Sequence, residues 1–341
     1  MRSPRDAGSA GMSVAIGEAE IARRIEQLGA LKAAIGQAII GQDAVVEQLL
    51  IGLFAGGHCL LEGVPGLGKT LLVRSLGAAL ELTFRRVQFT PDLMPSDILG
   101  TELLEEDHGT GHRSFRFQQG PVFTNLLLAD ELNRTPPKTQ AALLEAMQER
   151  TVSYGGTTYQ LPAPFLVLAT QNPLEQAGTY PLPEAQLDRF LLQIRVDYPD
   201  EAEEIGILQQ TTGTRSPTVP PVMDGDAVIV LQAMVRDVHV SPDLTAAIVR
   251  LVRATRPGDG APDIVTRYVR WGAGPRAGQS LVLAAKARAL LHGRLAATRE
   301  DVAVLAAPVL RHRLLLSFAA EAEQMEADAV IAALVGQLRV A

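Results

Sequence analysis

A glycine-rich segment that ends in a lysine and a threonine has the residue types of a phosphate-binding loop. Residues 63–70 read Gly-Val-Pro-Gly-Leu-Gly-Lys-Thr, and glycines at these spacings let successive backbone N–H groups point at phosphate oxygens. Lys69 could then reach the β- and γ-phosphates of a nucleoside triphosphate, and the Thr70 hydroxyl could bind Mg²⁺. An apolar run, residues 58–62, precedes the loop, and residues 71–80 have helical spacing. This strand–loop–helix context predicts nucleotide binding.

A pair of carboxylates after another apolar run supplies a second part of a hydrolytic site. Asp130 and Glu131 follow residues 125–129, and a parallel strand there brings both to the sheet edge where α/β folds bind ligands. Asp130 is predicted to hold Mg²⁺, usually through water. Glu131 is predicted to orient an attacking water or to take its proton. Since binding alone does not need Glu131, the pair predicts hydrolysis.

Asn172 and Arg276 are candidates for contacts with the terminal phosphate. Asn172 follows another apolar run, residues 165–170, and stands beside Pro173. If that run is a strand next to the strand of Asp130, Asn172 could hydrogen-bond the attacking water. The alternative is that Asn-Pro is an ordinary turn sequence. Arg276 begins a predicted helix, which is the unfavourable end for a cation. We therefore expect Arg276 to bind an anion elsewhere, the alternative being a solvated arginine.

Composition narrows the class of protein. The chain has 341 residues, 47% of them hydrophobic, and a net charge of −7, which argues against a general attraction to nucleic acid or an anionic membrane. The lone Cys59 cannot form an internal disulfide and suits a reducing cytosol. No stretch approaches the ~18 apolar residues of a membrane span. The chain start lacks an apolar leader core, and Met12 is an alternative start. We expect a cytoplasmic protein.

Apolar runs and helical periodicity predict two bodies joined by a linker. The predicted strands are residues 58–62, 84–88, 125–130, 165–170 and 191–196. The predicted helices are residues 17–56 (interrupted at 39–43) and 200–210, and everything beyond residue 222 is predicted to be helical. Alternating strands and helices predict a parallel sheet covered on both faces. The predicted organisation is a disordered tail (1–16), an αβα nucleotide-binding domain (17–215), a linker (216–223) and a small all-α lid (224–341).

Together these motifs resemble an AAA+ ATPase, and within that superfamily the MoxR family, over nearly the whole chain. Residues 63–70 match Walker A, and Asp130 with Glu131 matches Walker B. Asn172 matches sensor 1, Arg276 matches sensor 2, and residues 182–190 resemble the arginine-finger stretch around Arg189. The resemblance implies ATP and Mg²⁺ as cofactors, with contacts from Ile40, Gly41, Gly63, Pro65, Gly66, Leu67, Gly68, Lys69, Thr70, Leu71 and Asp130, and metal ligation by Thr70 and Asp130. Gly274 stands where the family usually has serine.

The resemblance also implies how such a protein works. Arg189 would be donated to a neighbouring subunit, so activity would require a homo-oligomer, typically a hexamer. Arg276 would sense the γ-phosphate and couple hydrolysis to rotation of the lid about residues 216–222. The implied role is chaperone-like remodelling of a client protein complex, with a partner that carries a von Willebrand factor A-type domain.

Two insertions bear on the alternatives. Residues 113–121 resemble an insert that precedes Walker B in this clade, and residues 150–161 predict a hairpin around a Gly-Gly turn. No Lys or Arg occurs from 151 to 188, which argues against a nucleic-acid motor, although the arginines and phenylalanines of 113–117 could favour one. An ATP-gated assembly switch is a further alternative. A GTPase is disfavoured because the chain has no Asn-Lys-x-Asp motif.

Overall fold

The computed structural model describes residues 17–64, 66–106, 113–172, 178–212 and 219–340. The predicted tail, Pro65 and the first three residues of the predicted linker lie outside them. The strands are β1 His58–Glu62, β2 Phe84–Gln88, β3 Gly100–Glu106, β4 Arg113–Gln119, β5 Leu126–Asp130, β6 Thr151–Tyr154, β7 Thr157–Gln160, β8 Leu166–Gln171, β9 Phe190–Arg195, β10 Val269–Trp271 and β11 Leu315–Leu316.

The helices alternate with the strands in the first half of the chain and dominate the second half. They are α1 Glu18–Gly36, α2 Asp43–Ala55, α3 Lys69–Ala79, α4 Pro95–Leu99, α5 Pro137–Glu149, α6 Glu184–Leu187, α7 Glu201–Thr211, α8 Gly225–Asp237, α9 Pro242–Ala254, α10 Asp263–Tyr268, α11 Pro275–Leu291, α12 Arg299–Leu310, α13 Phe318–Ala322 and α14 Ala327–Val340. Short 3₁₀ turns cover Leu132–Arg134 and Arg311–Arg313. We call α8–α14 the helical body and the preceding elements the α/β body.

A parallel five-stranded sheet forms the centre of the α/β body, in the order β2-β5-β8-β1-β9. Its inner strands β1, β5 and β8 are buried along almost their whole length, as expected for apolar runs covered on both faces. The order places the carboxyl ends of β5, β8 and β1 side by side. Gly63, Asp130 and Asn172 each lie at or just beyond one of these ends, so the topology gathers the predicted motifs at one edge.

Most predicted elements are confirmed within one or two residues. The break between α1 and α2 falls at residues 37–42, and the Ser241 and Thr298 side chains cap α9 and α12. One expectation needs correction: the second half of the chain is not wholly helical, because β10 and β11 pair antiparallel. None of the helices in the described part of the chain has the length and hydrophobicity to cross a bilayer.

The helical body packs directly on α2. One buried apolar cluster contains residues of α1, α2, α8, α9, α11, α12 and α14. Glu47 of α2 accepts hydrogen bonds from Lys32 (3.1 Å) and Arg288 (3.2 Å) and lies 3.1 Å from His292 Nε2, and Arg288 also binds the fully buried Asp301. A lid rotation about residues 216–222 would have to separate this shared core. The rotation itself stays a prediction.

Two antiparallel hairpins, β3–β4 and β6–β7, lie beside the sheet and contact each other. The predicted Gly-Gly hairpin is confirmed as β6–β7, with both glycines at positive φ. Phe117 of β4 stacks on Tyr159 of β7 with ring centroids 4.4 Å apart. The first insertion thus supplies β4, one strand of the β3–β4 hairpin, and this hairpin packs on the β6–β7 hairpin.

Candidate active site

The phosphate loop has the backbone that its glycines predict. Gly66 and Gly68 adopt left-handed φ values of 90° and 72°, which side chains with a Cβ rarely adopt. A Cβ on Gly63 would lie 2.5 Å from the carbonyl oxygen of Val196, so this position also requires glycine. α3 begins at Lys69 without a side-chain cap, which leaves the N–H groups of its first turn available to an anion.

Lys69 lies at the centre of the loop, and its Nζ donates to the carbonyl oxygen of Gly63. Burial lowers the pKa of Lys69 below its usual value, while the nearby carboxylates of Asp130, Glu131 and Glu62 oppose the shift. The ammonium group therefore stands among carboxylates in a partly desolvated cavity. A phosphate there would strengthen its charged form further.

An open cavity of about 240 Å³ brings Lys69, Thr70, Asp130, Glu131 and Asn172 together. It is lined by Gly63, Gly66, Gly68, Lys69, Thr70, Arg86, Asp130, Glu131, Thr170, Gln171 and Asn172. The Thr70 hydroxyl and the Asp130 carboxylate are hard oxygen donors of the kind that Mg²⁺ prefers, and Mg²⁺ commonly uses one or two protein ligands plus phosphate oxygens. The donor set therefore fits Mg²⁺ bound with a nucleotide.

Both carboxylates of the Asp130–Glu131 pair are held by protein donors. Thr170 Oγ1 donates to Asp130 Oδ1 (2.6 Å), and Arg86 donates to Asp130 Oδ2 from Nη2 (2.6 Å) and Nε (3.0 Å). Glu131 has a left-handed φ of 57°, and its Oε2 accepts from Gln88 Nε2 at 2.6 Å. Metal or substrate binding at either carboxylate must therefore compete with these side chains.

A second, mainly apolar cavity of about 580 Å³ adjoins the loop at Gly66 and Gly68. Its lining includes Ile40, Leu67, Leu71, Tyr198, Ile207 and Leu208. Apolar walls with a few polar groups suit a nucleoside base. Gly41 is not in this lining but supports it, because a Cβ there would lie 2.4 Å from the Glu203 side chain of α7. Ile40 and Gly41, which the resemblance predicts to contact the nucleotide, thus lie where the base of a nucleotide on the loop would reach.

Arg189 and Arg276 lie away from both cavities. Arg189 directly precedes β9, whose first residue pairs with the first residue of β1, so it lies at the amino edge of the sheet. Arg276 Nη1 lies 3.8 Å from Asp188 Oδ2. The buried Arg313 donates to the other oxygen of Asp188 at 2.8 Å. The structure places Arg276 beside Asp188, the residue before Arg189, and its contact with a γ-phosphate stays a prediction.

Comparison with known proteins agrees with this architecture. The family model for the ATPase family associated with various cellular activities matches residues 58–192, and the AAA lid domain model matches residues 262–334. The chaperone MoxR1 of Mycobacterium tuberculosis is 46% identical over 86% of this chain and 77% of its own length. Protein MoxR of Paracoccus denitrificans is 33% identical over 89% of this chain and 92% of its own length. The chain belongs to the MoxR family of AAA+ ATPases.

A crystal structure supports the fold of this MoxR-family chain. That protein, a candidate ATPase from Cytophaga hutchinsonii, is 40% identical and superposes with a TM-score of 0.87 over 94% of this chain and 96% of its own. The family and the predicted fold class, a parallel αβα domain followed by a helical lid, are confirmed. The roles of the individual site residues stay predictions.

Sequence reasoning missed several side chains of the MoxR-family site. Arg86 and Gln88 come from β2, two residues apart, and contact the Walker B carboxylates of the neighbouring strand β5. Arg313 ties Asp188 to the helical body. The alternation of β2 was visible, but only the strand order reveals that its polar side chains face Asp130.

Proposed function

We propose that this protein is a Mg²⁺-dependent ATPase that acts as a homo-oligomeric ring, typically a hexamer, and remodels partner protein complexes. One observation carries the proposal. The phosphate loop and the Walker B carboxylates share one cavity, whereas Arg189 lies at the opposite edge of the same sheet and Arg276 lies beside Asp188 at that edge. Both arginines are predicted to contact phosphate. A protomer alone therefore has an incomplete site, and a neighbour in head-to-tail contact would complete it.

The distance between the two edges supports donation to a neighbour. Residue 190 pairs with residue 58, while the loop begins after residue 62. Six residues of strand between the level of Arg189 and the loop correspond to roughly 20 Å, which exceeds the reach of an arginine side chain. Arg276 is tied to Asp188 at that same far edge. We therefore assign both arginines to the neighbouring subunit's nucleotide.

The residues of the cavity would divide the chemistry among them. Lys69 and the free N–H groups of α3 bind phosphate oxygens, and Glu131 orients the attacking water together with Asn172. Mg²⁺ held by Thr70 and Asp130 would neutralise charge on the phosphates. Arg189 and Arg276 from the next subunit would stabilise the charge that develops on the transferred group.

The chaperone role rests on relatives and on family resemblance. MoxR1, at 46% identity, is named a chaperone. We extend that role to this chain and propose a partner with a von Willebrand factor A-type domain. Stimulation of turnover by such a protein, and not by DNA, is the result expected.

The structure weakens the nucleic-acid motor as an alternative. Arg113 and Arg116, the arginines that favoured it, lie 2.9 Å from Glu106 and 3.4 Å from Glu105 across the β3–β4 hairpin. Pairing with these carboxylates offsets the positive charge that phosphates would require. The β6–β7 hairpin itself contains no Lys or Arg.

Steady-state ATPase activity as a function of protein concentration tests the proposal. Specific activity of the wild type should rise with concentration, and Arg189→Ala should lose about 10³–10⁵ in rate, as arginine-finger loss does elsewhere. Glu131→Gln should be inactive yet still bind ATP, and the exposed Glu145→Gln on α5 is the matched control. Activity independent of concentration, with Arg189→Ala unaffected, would leave a monomeric nucleotide switch as the better account.

A further inference from the structure

An exposed basic surface lies on the helical body beside the Arg189 edge. Residues 250–276 contain six arginines and two aspartates in a chain of net charge −7. We call Arg253, Arg256, Arg270 and Trp271 the basic lid face. Its three arginines are exposed, and none has a carboxylate within 4.0 Å among the residues that the structure describes. Trp271, at 74% exposure, gives the face a large apolar centre.

The basic lid face is continuous with the edge of the sheet where Arg189 and Arg276 lie. Arg256 Nε donates to the carbonyl oxygen of Ala273 at 2.9 Å, which joins the end of α9 to the segment between β10 and α11. Arg276, three residues after Ala273, is the second residue of α11 and lies 3.8 Å from Asp188. Whatever covers the basic lid face therefore also lies next to Arg276 and Arg189.

An exposed acidic surface lies at the other edge of the sheet, beside the nucleoside cavity. Residues 197–204 contain five carboxylates and no basic residue. We call Asp197, Tyr198, Glu201 and Ile205 the acidic α7 face. α7 buries none of its residues, and Tyr198 and Ile205 are 71% and 50% exposed. Ile207 and Leu208 of this helix line the nucleoside cavity, whereas the exposed Ile205 is available for another contact.

We propose that the acidic α7 face of one protomer binds the basic lid face of the next copy of this chain. The inference rests on the ring of the proposed function and names the surfaces that build it. A like-with-like contact would set arginine against arginine or carboxylate against carboxylate, whereas the mixed contact pairs opposite charges. Tyr and Trp at the centre and Arg around them are typical of protein interfaces.

The second copy fits this contact better than an unrelated acidic partner because of where the faces lie. β9 begins beside Arg189 and ends just before Asp197, so the two faces are at opposite edges of one sheet. Their union brings one subunit's Arg189 and Arg276 towards the other subunit's cavity. Such a heterologous contact leaves one free face at each end, and a ring closes when the rotation permits it.

Charge reversal of each face provides the test. The acidic-face variant is Asp197→Lys/Glu201→Lys, and the basic-face variant is Arg253→Glu/Arg270→Glu; these residues are exposed and outside the catalytic cavity. Matched controls with the same charge change elsewhere are Glu18→Lys/Glu26→Lys and Arg236→Glu/Arg299→Glu, all at exposed positions. Assembly is followed by sedimentation with ATP and Mg²⁺ present, and monomer folding by thermal melting.

Each variant alone should need about tenfold more protein than its control for half-maximal assembly, because two attractions become repulsions at every interface. An equimolar mixture of the two variants should assemble at wild-type concentrations, since every alternating contact again pairs opposite charges. Variants that assemble like their controls, or folded variants that fail to recover on mixing, would overturn the proposed faces while leaving the ring intact. A wild type that stays monomeric would instead overturn the ring itself.

Discussion

Asp130, a proposed Mg²⁺ ligand, forms an ion pair with Arg86. Their closest atoms are 2.6 Å apart, and the Arg86 side chain is about half exposed. A partly exposed pair contributes little to stability. Its position makes it a competitor for a cation at Asp130, so the pair would weaken binding of the proposed Mg²⁺.

Arg86→Gln should therefore lower the Mg²⁺ concentration for half-maximal ATPase activity by about two- to fivefold, because that factor corresponds to the free energy of one exposed ion pair. Arg85→Gln is the matched control, since Arg85 is the adjacent exposed residue of the same strand. The measurement is a Mg²⁺ titration at fixed ATP. An unchanged Mg²⁺ requirement with a reduced kcat would mean that Arg86 acts on the nucleotide instead.

His58 is a buried histidine that the fold keeps neutral. The Val167 N–H donates to its Nδ1 at 3.0 Å, so its Nε2–H donates to the Met147 carbonyl oxygen, also at 3.0 Å. Burial lowers its pKa from about 6.5 to about 4. Because the unfolded chain takes up a proton before the folded one does, stability is complete above about pH 6.5 and is lost as the pH falls towards 4.

Between pH 7 and pH 5 this single group should cost about 2 kcal/mol of unfolding free energy. His58→Gln keeps one donor and one acceptor but does not titrate, so its stability should vary less over this range. Urea unfolding at a series of pH values measures the difference, with the exposed His239→Gln as control. An equal pH dependence in wild type and His58→Gln would refute the assignment.

At the level of elements, the two hairpins form one unit through aromatic contacts. Phe117 of β4 stacks on Tyr159 and lies within 5.5 Å of Tyr154 and 6.0 Å of Phe123, centroid to centroid. Phe115, on the same strand, is 71% exposed. Of these two phenylalanines, only Phe117 joins the β3–β4 hairpin to the β6–β7 hairpin.

Phe117→Ala should therefore loosen both hairpins, by about 1–2 kcal/mol of local opening free energy. Hydrogen exchange of the β6–β7 amides measures this directly, because those amides belong to the other hairpin. Phe115→Ala, which removes the same ring from an exposed position, should leave their exchange unchanged. Equal effects of the two substitutions would show that the hairpins open independently.

Sequence predicted the elements that local pattern specifies. The phosphate loop, its flanking strand and helix, and the Walker B strand are each contained in short segments, and all were found in place. Arg86 contacts Asp130 across 44 residues of sequence, and Arg313 contacts Asp188 across 125. Such pairs depend on strand order and on how the helical body docks, and no local pattern encodes either.

At the level of the whole molecule, the position of Arg276 predicts a result for mixed subunits. Glu131→Gln removes the proposed catalytic carboxylate but keeps both arginines, and Arg276→Ala removes an arginine but keeps the carboxylate. When the two inactive variants are mixed as monomers in equal amounts and then assembled, about a quarter of the sites should pair an intact cavity with an intact neighbour. ATPase activity should therefore reappear.

The control for this experiment pairs Glu131→Gln with the double variant Glu131→Gln/Arg276→Ala, a mixture in which no intact cavity exists. It should stay inactive. If the first mixture also stays inactive although mixed assemblies form, Arg276 serves its own subunit and its position beside Asp188 is not the active one.

The hydrogen bond from Arg313 to Asp188 has a consequence for communication between the subunits of the proposed ring. Arg313 is 8% exposed and also donates to the Phe190 carbonyl oxygen at 2.8 Å, so the segment that carries Arg189 moves with the helical body. Thermodynamic linkage is reciprocal for binding. A client that prefers one orientation of the helical body would change the affinity of the adjoining subunit for ATP by some factor. ATP on that subunit would change the affinity for the client by the same factor.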